Sequence, residues 1–487
     1  MDKLDKTLKK YFGFDNFRPG QKEVIESILS GKDTLAVLPT GGGKSLLFQL
    51  PALLQDGITI VVSPLIALMK DQLEALEERG LPATFLNSSL GKKEYRKRTE
   101  GLTNGEYKIL YVSPERFANH GFMSMLQEVE VSLFAIDEAH LVSLWGHEFR
   151  QDYRLLGKVR KEIGNPTVIA VTATATEAVR NDIVEQLGME SPLVQVSGFS
   201  RPELTLNGSI FADQKIKSQA FFKHIKKIFE NDAIPPMIVY CGSRKDCEMV
   251  SELLNKRIKR LYKLDNFSLP YHADLPKKTR AENQEKFMNG DVLCIVATIA
   301  FGMGIDKSNI RHVIHCTIPA SVEAYYQEIG RAGRDGRASN CDLFYDPRDV
   351  ALRAFFIDVA HPPKDWFRRV YYHLLRTLRP NVSMHMIYNV VADEVGGGEI
   401  QKYQTKTCLT KLKFAGVFTA PRRGYMLLNE DIPEFDDLDI DFKLSQQRKE
   451  QKIKNLETMQ KLVETKDKHK FILNYFGETN EKSNRTS

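Results

Sequence analysis

No apolar run in this 487-residue chain approaches the length that a membrane-spanning helix needs, which excludes a helical membrane span as its organising feature. The opening residues, Met1-Asp2-Lys3-Leu4-Asp5-Lys6, alternate charges where a secretory signal would need an apolar stretch. A cytoplasmic location, nucleoid-associated in a bacterium, is the resulting expectation. Cysteine is scarce and scattered: Cys241, Cys247, Cys294, Cys316, Cys341 and Cys408 include no CxxC pair. Neither a disulfide framework nor a tight zinc cluster is therefore written locally, and reduced, buried thiols are expected. Charge of one sign is also limited, since a net charge of +6 suits a polyanionic partner without requiring one. Tryptophan occurs only twice, so each position carries weight.

What is present is ordinary globular composition in a chain too long for one core, because single cores stop growing near roughly 250 to 300 residues. From about residue 20 to 195, short apolar runs (Thr34 to Leu38, Thr59 to Val62, Ile109 to Val112, Leu133 to Ile136, Val168 to Val171) alternate with helix-like stretches. That alternation predicts a parallel sheet wrapped by helices. It pauses at Val196-Ser197-Gly198-Phe199-Ser200-Arg201-Pro202, a linker by composition, and resumes with Met237 to Tyr240, Val292 to Ala297 and His312 to His315. The expectation is an α/β chain with two tandem parallel-sheet domains, over residues 1–196 and 197–347.

After Asp346-Pro347 the texture becomes helical. A helix over Thr405 to Phe414, then two short strands around a basic turn at Arg422-Arg423-Gly424, predicts a winged-helix-like domain over 348–429. Lys402, Lys406, Lys411, Lys413, Arg422 and Arg423 make that region basic. Glu430 to Asp441 carries seven carboxylates and no base and reads as an exposed linker. Beyond it, Ile453, Leu456, Met459 and Leu462 recur at the spacing of a helix with a narrow apolar stripe.

Three motifs carry chemistry. Pro39-Thr40-Gly41-Gly42-Gly43-Lys44-Ser45 stands at a strand-to-helix turn. Glycines there let backbone N–H groups close around phosphates, Lys44 can reach the terminal phosphates, and Ser45 can ligate Mg²⁺. Asp137-Glu138-Ala139-His140 directly follows an apolar strand. Asp137 can then hold Mg²⁺, Glu138 can orient or deprotonate an attacking water, and His140 can sense the phosphate. Gln327-Glu328-Ile329-Gly330-Arg331-Ala332-Gly333-Arg334 places two arginines three apart in the second domain; Arg334 is the candidate arginine finger, with Arg331 its partner and Gln327 at the start of the motif. Thr172-Ala173-Thr174-Ala175 closes another strand, as a motif coupling the nucleotide site to a nucleic-acid track would.

With these residues in order, the chain from about Tyr11 to Asp346 resembles the superfamily 2 helicases, and specifically the RecQ family of DNA helicases. The resemblance implies two RecA-like domains, with ATP and Mg²⁺ as cofactors. Phe12-Gly13-Phe14-Asp15-Asn16-Phe17-Arg18-Pro19-Gly20-Gln21 resembles the family's adenine segment, in which Phe14 and Arg18 would sandwich the base and Gln21 would bond its edge. Leu144-Trp145-Gly146-His147-Glu148-Phe149-Arg150 resembles the aromatic-rich loop: Trp145, His147 and Phe149 would meet single-stranded DNA, and Arg150 a phosphate. Gly304 and Asp306, in the stretch Ala297 to Lys307, would face the nucleotide. Ser63 and Arg116 in the first domain, and Ser243, Arg244 and His272 in the second, match strand-contacting motifs.

The resemblance departs at the tail. Ile472-Leu473-Asn474-Tyr475-Phe476-Gly477-Glu478 resembles the closing segment of the family's zinc module, but no cysteine flanks it. No zinc is expected, and residues 430–487 are expected to form a linker and a helical tail packed by hydrophobic contact. The implied function is a 3′-to-5′ DNA helicase of repair or recombination, acting as a monomer on single-stranded and forked DNA, with a single-strand-binding protein as a candidate partner and no membrane. Two alternatives stay open: an RNA helicase of the same superfamily, and an ATP-gated DNA-binding or annealing clamp that does not unwind.

Overall fold

The computed structural model describes residues 2–64, 66–87, 90–146, 150–196, 198–230, 234–302, 307–377, 382–383, 398–422, 425–429 and 431–478. Seven strands form the first sheet: β1 (Thr34–Val37), β2 (Ile58–Val62), β3 (Ala83–Leu86), β4 (Ile109–Val112), β5 (Val131–Ile136), β6 (Thr167–Thr172) and β7 (Leu193–Val196). Their order is β3-β4-β2-β5-β6-β1-β7, and every pairing is parallel. The central strands β1, β2 and β4 are buried along their whole length, which is why they read as unbroken apolar runs. Helices cover the sheet, and Val24, Ile25, Leu47, Leu50, Met69 and Leu76 close the core over one face.

The second sheet contains β8 (Leu204–Ile210), β9 (Met237–Tyr240), β10 (Ser268–Tyr271), β11 (Cys294–Ala297), β12 (His312–His315) and β13 (Ser339–Tyr345). Its order is β10-β11-β9-β12-β13-β8, again all parallel. Five strands in the two sheets were not foreseen in the sequence: β3, β7, β8, β10 and β13. Four of them are sheet edges. An edge strand has one neighbour and keeps polar or exposed positions, as the alternating exposure along Leu204–Ile210 shows.

Both sheets, together with residues 461–478, belong to one compact unit; the described residues of 211–217 and 346–460 form another. In the second unit the helices Pro347–Ala360, Lys364–Thr377 and Glu399–Phe414 accompany a three-stranded antiparallel sheet of β14 (Val382–Ser383), β15 (Phe418–Arg422) and β16 (Tyr425–Leu428), in the order β14-β16-β15. The helix followed by a hairpin is the arrangement expected from the sequence; Arg423 and Gly424 at its turn lie outside the described residues. Phe367, Val370, Leu374, Cys408, Leu412 and Val417 form its core.

One expectation is corrected here. The acidic stretch after Glu430 is no free linker: Phe435 and Leu438 are buried in that core, while Asp436 stays exposed and pairs with Lys364 and Arg368 at 3.0 and 3.5 Å. Two apolar side chains spaced by three residues anchor a segment whose carboxylates all remain in water.

Candidate active site

The strand order decides the site. β5, β6 and β1 are consecutive neighbours, so the segments leaving their carboxyl ends lie side by side although they are far apart in sequence. The loop Pro39 to Ser45 leaves β1, Thr172 ends β6, and Asp137 follows β5. Gly41 and Gly43 hold φ of +81° and +78°, a backbone region that side chains with a Cβ rarely adopt. Gly43 has a second constraint, because a Cβ there would lie 2.5 Å from Gln21 Nε2.

Lys44 is half-buried and folds back over its own loop, Nζ donating to Leu38 O at 3.4 Å and Pro39 O at 3.5 Å. Burial pushes its ammonium below the ordinary lysine range, against the pull of Glu138 and Asp137. Asp137 is half-buried as well. Desolvation and the neighbouring Glu138 carboxylate drive its pKa far above the usual carboxylate range, and Lys44 opposes them. Its Oδ1 accepts the Glu138 N–H at 2.9 Å. Glu138 adopts a left-handed backbone (φ 49°), an uncommon conformation for a residue with a side chain. Its carboxylate lies 3.3 Å from His140 Nδ1, and the same nitrogen is 2.9 Å from Thr172 Oγ1. His140 thus joins the carboxylate box to the end of β6. Ser45 begins the helix Leu46–Ala52 beside the loop.

The second sheet contributes from the opposite side. The helix Val322–Ile329 carries half-buried Gln327 and leads into Gly330, where an added Cβ would stand 3.5 Å from Thr40 Cβ. Arg334 approaches the loop closely, its Cγ and Cδ 3.8 Å from where a Gly41 Cβ would be. Arg331 is buried, packed beside Gly302 and hydrogen-bonded to Tyr240, whose hydroxyl also donates to Phe301 O at 2.9 Å. Of the two arginines, only Arg334 is brought against the phosphate loop.

The N-terminal segment reaches the same loop. Gln21 is buried, donating from Nε2 to Gly42 O at 3.1 Å and accepting the Arg18 N–H at 2.9 Å, while the Arg18 guanidinium bonds Gly41 O. Both edges of the Gln21 amide are therefore engaged by protein. Phe14 is 53% exposed, leaving its ring face open. Gly304 and Asp306 lie outside the described residues.

Among the expected strand contacts, Trp145 is 41% exposed, and the loop carrying it is anchored from beneath. Asp182 Oδ2 accepts Ser143 Oγ at 2.7 Å and Leu144 N at 3.0 Å. Asp182 was missed in the sequence; its only signal is a carboxylate on the apolar side of the helix Glu177–Gln186. Arg150 Nη1 donates to Pro64 O at 3.3 Å, so two candidate strand-contacting segments touch. His147 and Phe149 lie outside the described residues. Arg116 stacks over Tyr95 and Phe122, with ring centroids 4.8 and 5.5 Å away. Arg244 is exposed and paired with Asp274. Ser243 caps the helix Arg244–Tyr262 by accepting Asp246 N at 3.1 Å. Ser63 and His272 are buried, His272 Nε2 lying 3.2 Å from Glu248.

Two parallel sheets closing on one phosphate loop, with a lysine, two carboxylates and an arginine of the second sheet gathered there, define a two-lobed helicase-class protein. Residues 18–182 match the DEAD/DEAH box helicase family and residues 220–336 the helicase conserved C-terminal domain. The chain is 43% identical over 353 residues to "ATP-dependent DNA helicase RecQ" of Bacillus subtilis, covering 72% of this chain and 57% of that protein. It is 42% identical over 361 residues to "Probable ATP-dependent DNA helicase RecS" of the same organism, covering 74% and 70%. Among solved structures, the helicase MrfA bound to DNA and AMPPNP shares the fold at a TM-score of 0.58 and 19% identity, over 91% of this chain and 63% of that one. The chain belongs to the RecQ family of helicases. It spans just over half the length of the RecQ protein of Bacillus subtilis.

Residues 427–484 match the RecQ zinc-binding model. That stretch contains no cysteine, so thiolate ligation is not available within it. Its described end instead packs on the linker between the two sheets. Phe476 stacks on Phe199 (centroids 4.3 Å apart, planes at 10°), and Glu478 accepts the Phe199 N–H at 2.8 Å and the Gly198 N–H at 3.3 Å. Tyr475 Oη donates to Glu323 at 2.7 Å, and His469 Nε2 lies 2.8 Å from Leu204 O. The tail, expected to pack by hydrophobic contact, thus also carries a polar staple.

Proposed function

We propose that this chain is an ATP-dependent DNA helicase motor that translocates 3′ to 5′ along single-stranded DNA and separates duplexes during repair or recombination. The observation that carries the reading is the convergence of Lys44, Asp137 and Glu138 from one sheet with Arg334 from the other on the loop Pro39 to Ser45. Lys44 would bind the terminal phosphates, and Glu138, set by His140, would orient the attacking water. Arg334 would stabilise charge spreading over the transferring phosphoryl. Asp137 and Ser45 offer hard oxygen donors of the kind Mg²⁺ takes; the ion supplies charge neutralisation at the phosphates. The ring face of Phe14, with the Arg18 guanidinium, would stack on adenine.

Closure of the two lobes on ATP, and reopening after hydrolysis, would move the strand contacts at Trp145, Arg150, Arg116 and Arg244 relative to one another. On this reading residues 1–196 and 197–347 are the motor domains, 348–429 a winged-helix-like domain, and 430–487 the tail. The relatives' names, which specify DNA, favour DNA over RNA.

The test is unwinding of forked, 3′-tailed and 5′-tailed DNA beside matched RNA, with Lys44→Ala as control. ATP-dependent opening of the 3′-tailed and forked DNA is expected. Lys44→Ala should lose at least ~10²-fold in hydrolysis, the scale of removing one transition-state donor. Preference for the 5′ tail would refute the polarity, preference for RNA the substrate, and annealing without ATP-driven separation the motor.

A further inference from the structure

The second sheet carries another cluster of chemistry-bearing groups, on the face covered by the helix Gln214–Phe229. His224 from that helix, His312 at the start of β12 and Asp342 in β13 each offer one ligand atom, and the three atoms lie within 4.8 Å of one another. His224 Nε2 stands 3.1 Å from Asp342 Oδ2. The other carboxylate oxygen, Oδ1, accepts Asn207 Nδ2 at 3.0 Å from the neighbouring strand β8, which fixes how Asp342 presents itself. His312 Nδ1 is buried with no hydrogen-bond partner. The Phe344 ring, 5.5 Å from His224, shields one side. The Asp342 side chain is 7% exposed and that of His224 is 25%, so the cluster is enclosed but reachable from the helix side.

An ordinary core would not assemble this set. A single ion pair between His224 and Asp342 would need no second imidazole beside it, and an unpartnered ring nitrogen in the interior forfeits its hydration without return. Two imidazoles and one carboxylate, with a further carboxamide orienting the carboxylate, are the donor set and outer support of a divalent transition-metal site. Metal–ligand bonds near 2.1 Å put tetrahedral ligand atoms roughly 3.4 Å apart, so small side-chain rotations would bring the three into range. Asp137, Glu138 and the phosphate loop belong to the other sheet and contribute nothing here.

We propose that His224, His312 and Asp342 bind one divalent ion of the zinc class, with water completing the tetrahedron, as a clip that fastens the helix Gln214–Phe229 to β12 and β13. The site is separate from residues 427–484 and independent of the helicase reading.

Tag-free full-length protein, stripped with a chelator and dialysed against Co²⁺ and then Zn²⁺, tests it directly. Expected are one ion per chain by mass spectrometry, the visible absorption of tetrahedral Co²⁺, its displacement by Zn²⁺, and a higher melting temperature with Zn²⁺ than with chelator. His224→Gln, at the partly exposed position, and Asp342→Asn should each bind at least roughly tenfold more weakly. His224→Gln should melt like the parent protein in chelator, which separates lost ligation from lost folding. Retention of less than one ion by the parent protein, or undiminished binding in both variants, would overturn the site.

Discussion

Lys44, half-buried, and Arg160, buried, are both cations withdrawn from water, and their surroundings give removal of charge opposite consequences. Among the described residues Lys44 hydrogen-bonds two carbonyls, both at long range. Lys44→Ala is therefore expected to leave thermal stability unchanged or slightly raised, because it deletes a partly desolvated charge that Glu138 and Asp137 repay only in part. Arg160 is fully engaged: Nη2 meets Asp33 Oδ1 at 2.9 Å, Nε donates to Pro166 O and Nη1 to Gly188 O. Asp33 Oδ1 also accepts Val168 N at 2.9 Å, tying β6 to the segment before β1. Asp33→Ala should cost about 3–5 kcal/mol, since it strands a buried guanidinium, and denaturant melts of the two variants check both signs. A positive charge near a carboxylate is visible in a sequence, but its partner, here 127 residues away, is not.

At the scale of elements, the aromatic loop is held by a helix that contributes no surface to it. Asp182→Ala removes the acceptor for Ser143 Oγ and Leu144 N, leaving Trp145 on an untethered turn. The expected result is a fall of roughly tenfold or more in DNA-stimulated ATP hydrolysis, with hydrolysis in the absence of DNA largely retained, because positioning rather than chemistry is lost. Equal loss in both would place Asp182 in the nucleotide site instead. A second element-level device is His361, at the end of the helix Pro347–Ala360. Burial first, then Lys452, Lys411, Arg448 and Lys449, push its pKa down to about 4. Between there and the ordinary value of 6.5 the unfolded chain takes up a proton that the folded unit refuses. Stability of that unit is fully present above pH 6.5 and declines as pH falls through this window, by an amount on the order of 3 kcal/mol. Urea melts of the parent protein and of His361→Gln from pH 7 to about 4 measure it; the variant should show the shallower decline.

For the two-sheet unit as a whole, the two sheets share the loop at Lys44 and one tail. Phe476, fully buried, stacks on Phe199 in the linker, while Glu478 holds the linker N–H groups and Arg180 Nη1 donates to Phe476 O at 3.0 Å. A segment from the end of the chain thus bonds both the first lobe and the connection to the second. Phe476→Ala should cost about 3–5 kcal/mol, as buried Phe truncations do. Because the lost contact joins lobes rather than filling one core, calorimetry should resolve the melting of the two-sheet unit into two transitions. A single transition, merely shifted, would mean that the tail supports one lobe alone.

The sequence by itself determined the local chemistry. Glycine spacing around Lys44, carboxylates directly after an apolar run, and paired arginines in a glycine frame are short-range patterns that the backbone must express as loops at strand ends. Interior strands other than β13, which carries Ser339, Asn340 and Asp342, were legible for the same reason, because burial on both faces writes an unbroken apolar run. The edge strand β8 was not, since more than half of its positions are exposed. Only the tertiary structure decided which strand ends are neighbours. The order β5-β6-β1 puts His140 against Thr172, the approach of the second sheet sets Arg334 rather than Arg331 at the loop, and folding the tail back delivers Glu478 to Gly198 and Phe199. Pairings across 30 to 280 residues depend on the summed packing of every intervening element, and no local pattern of residue types encodes that sum.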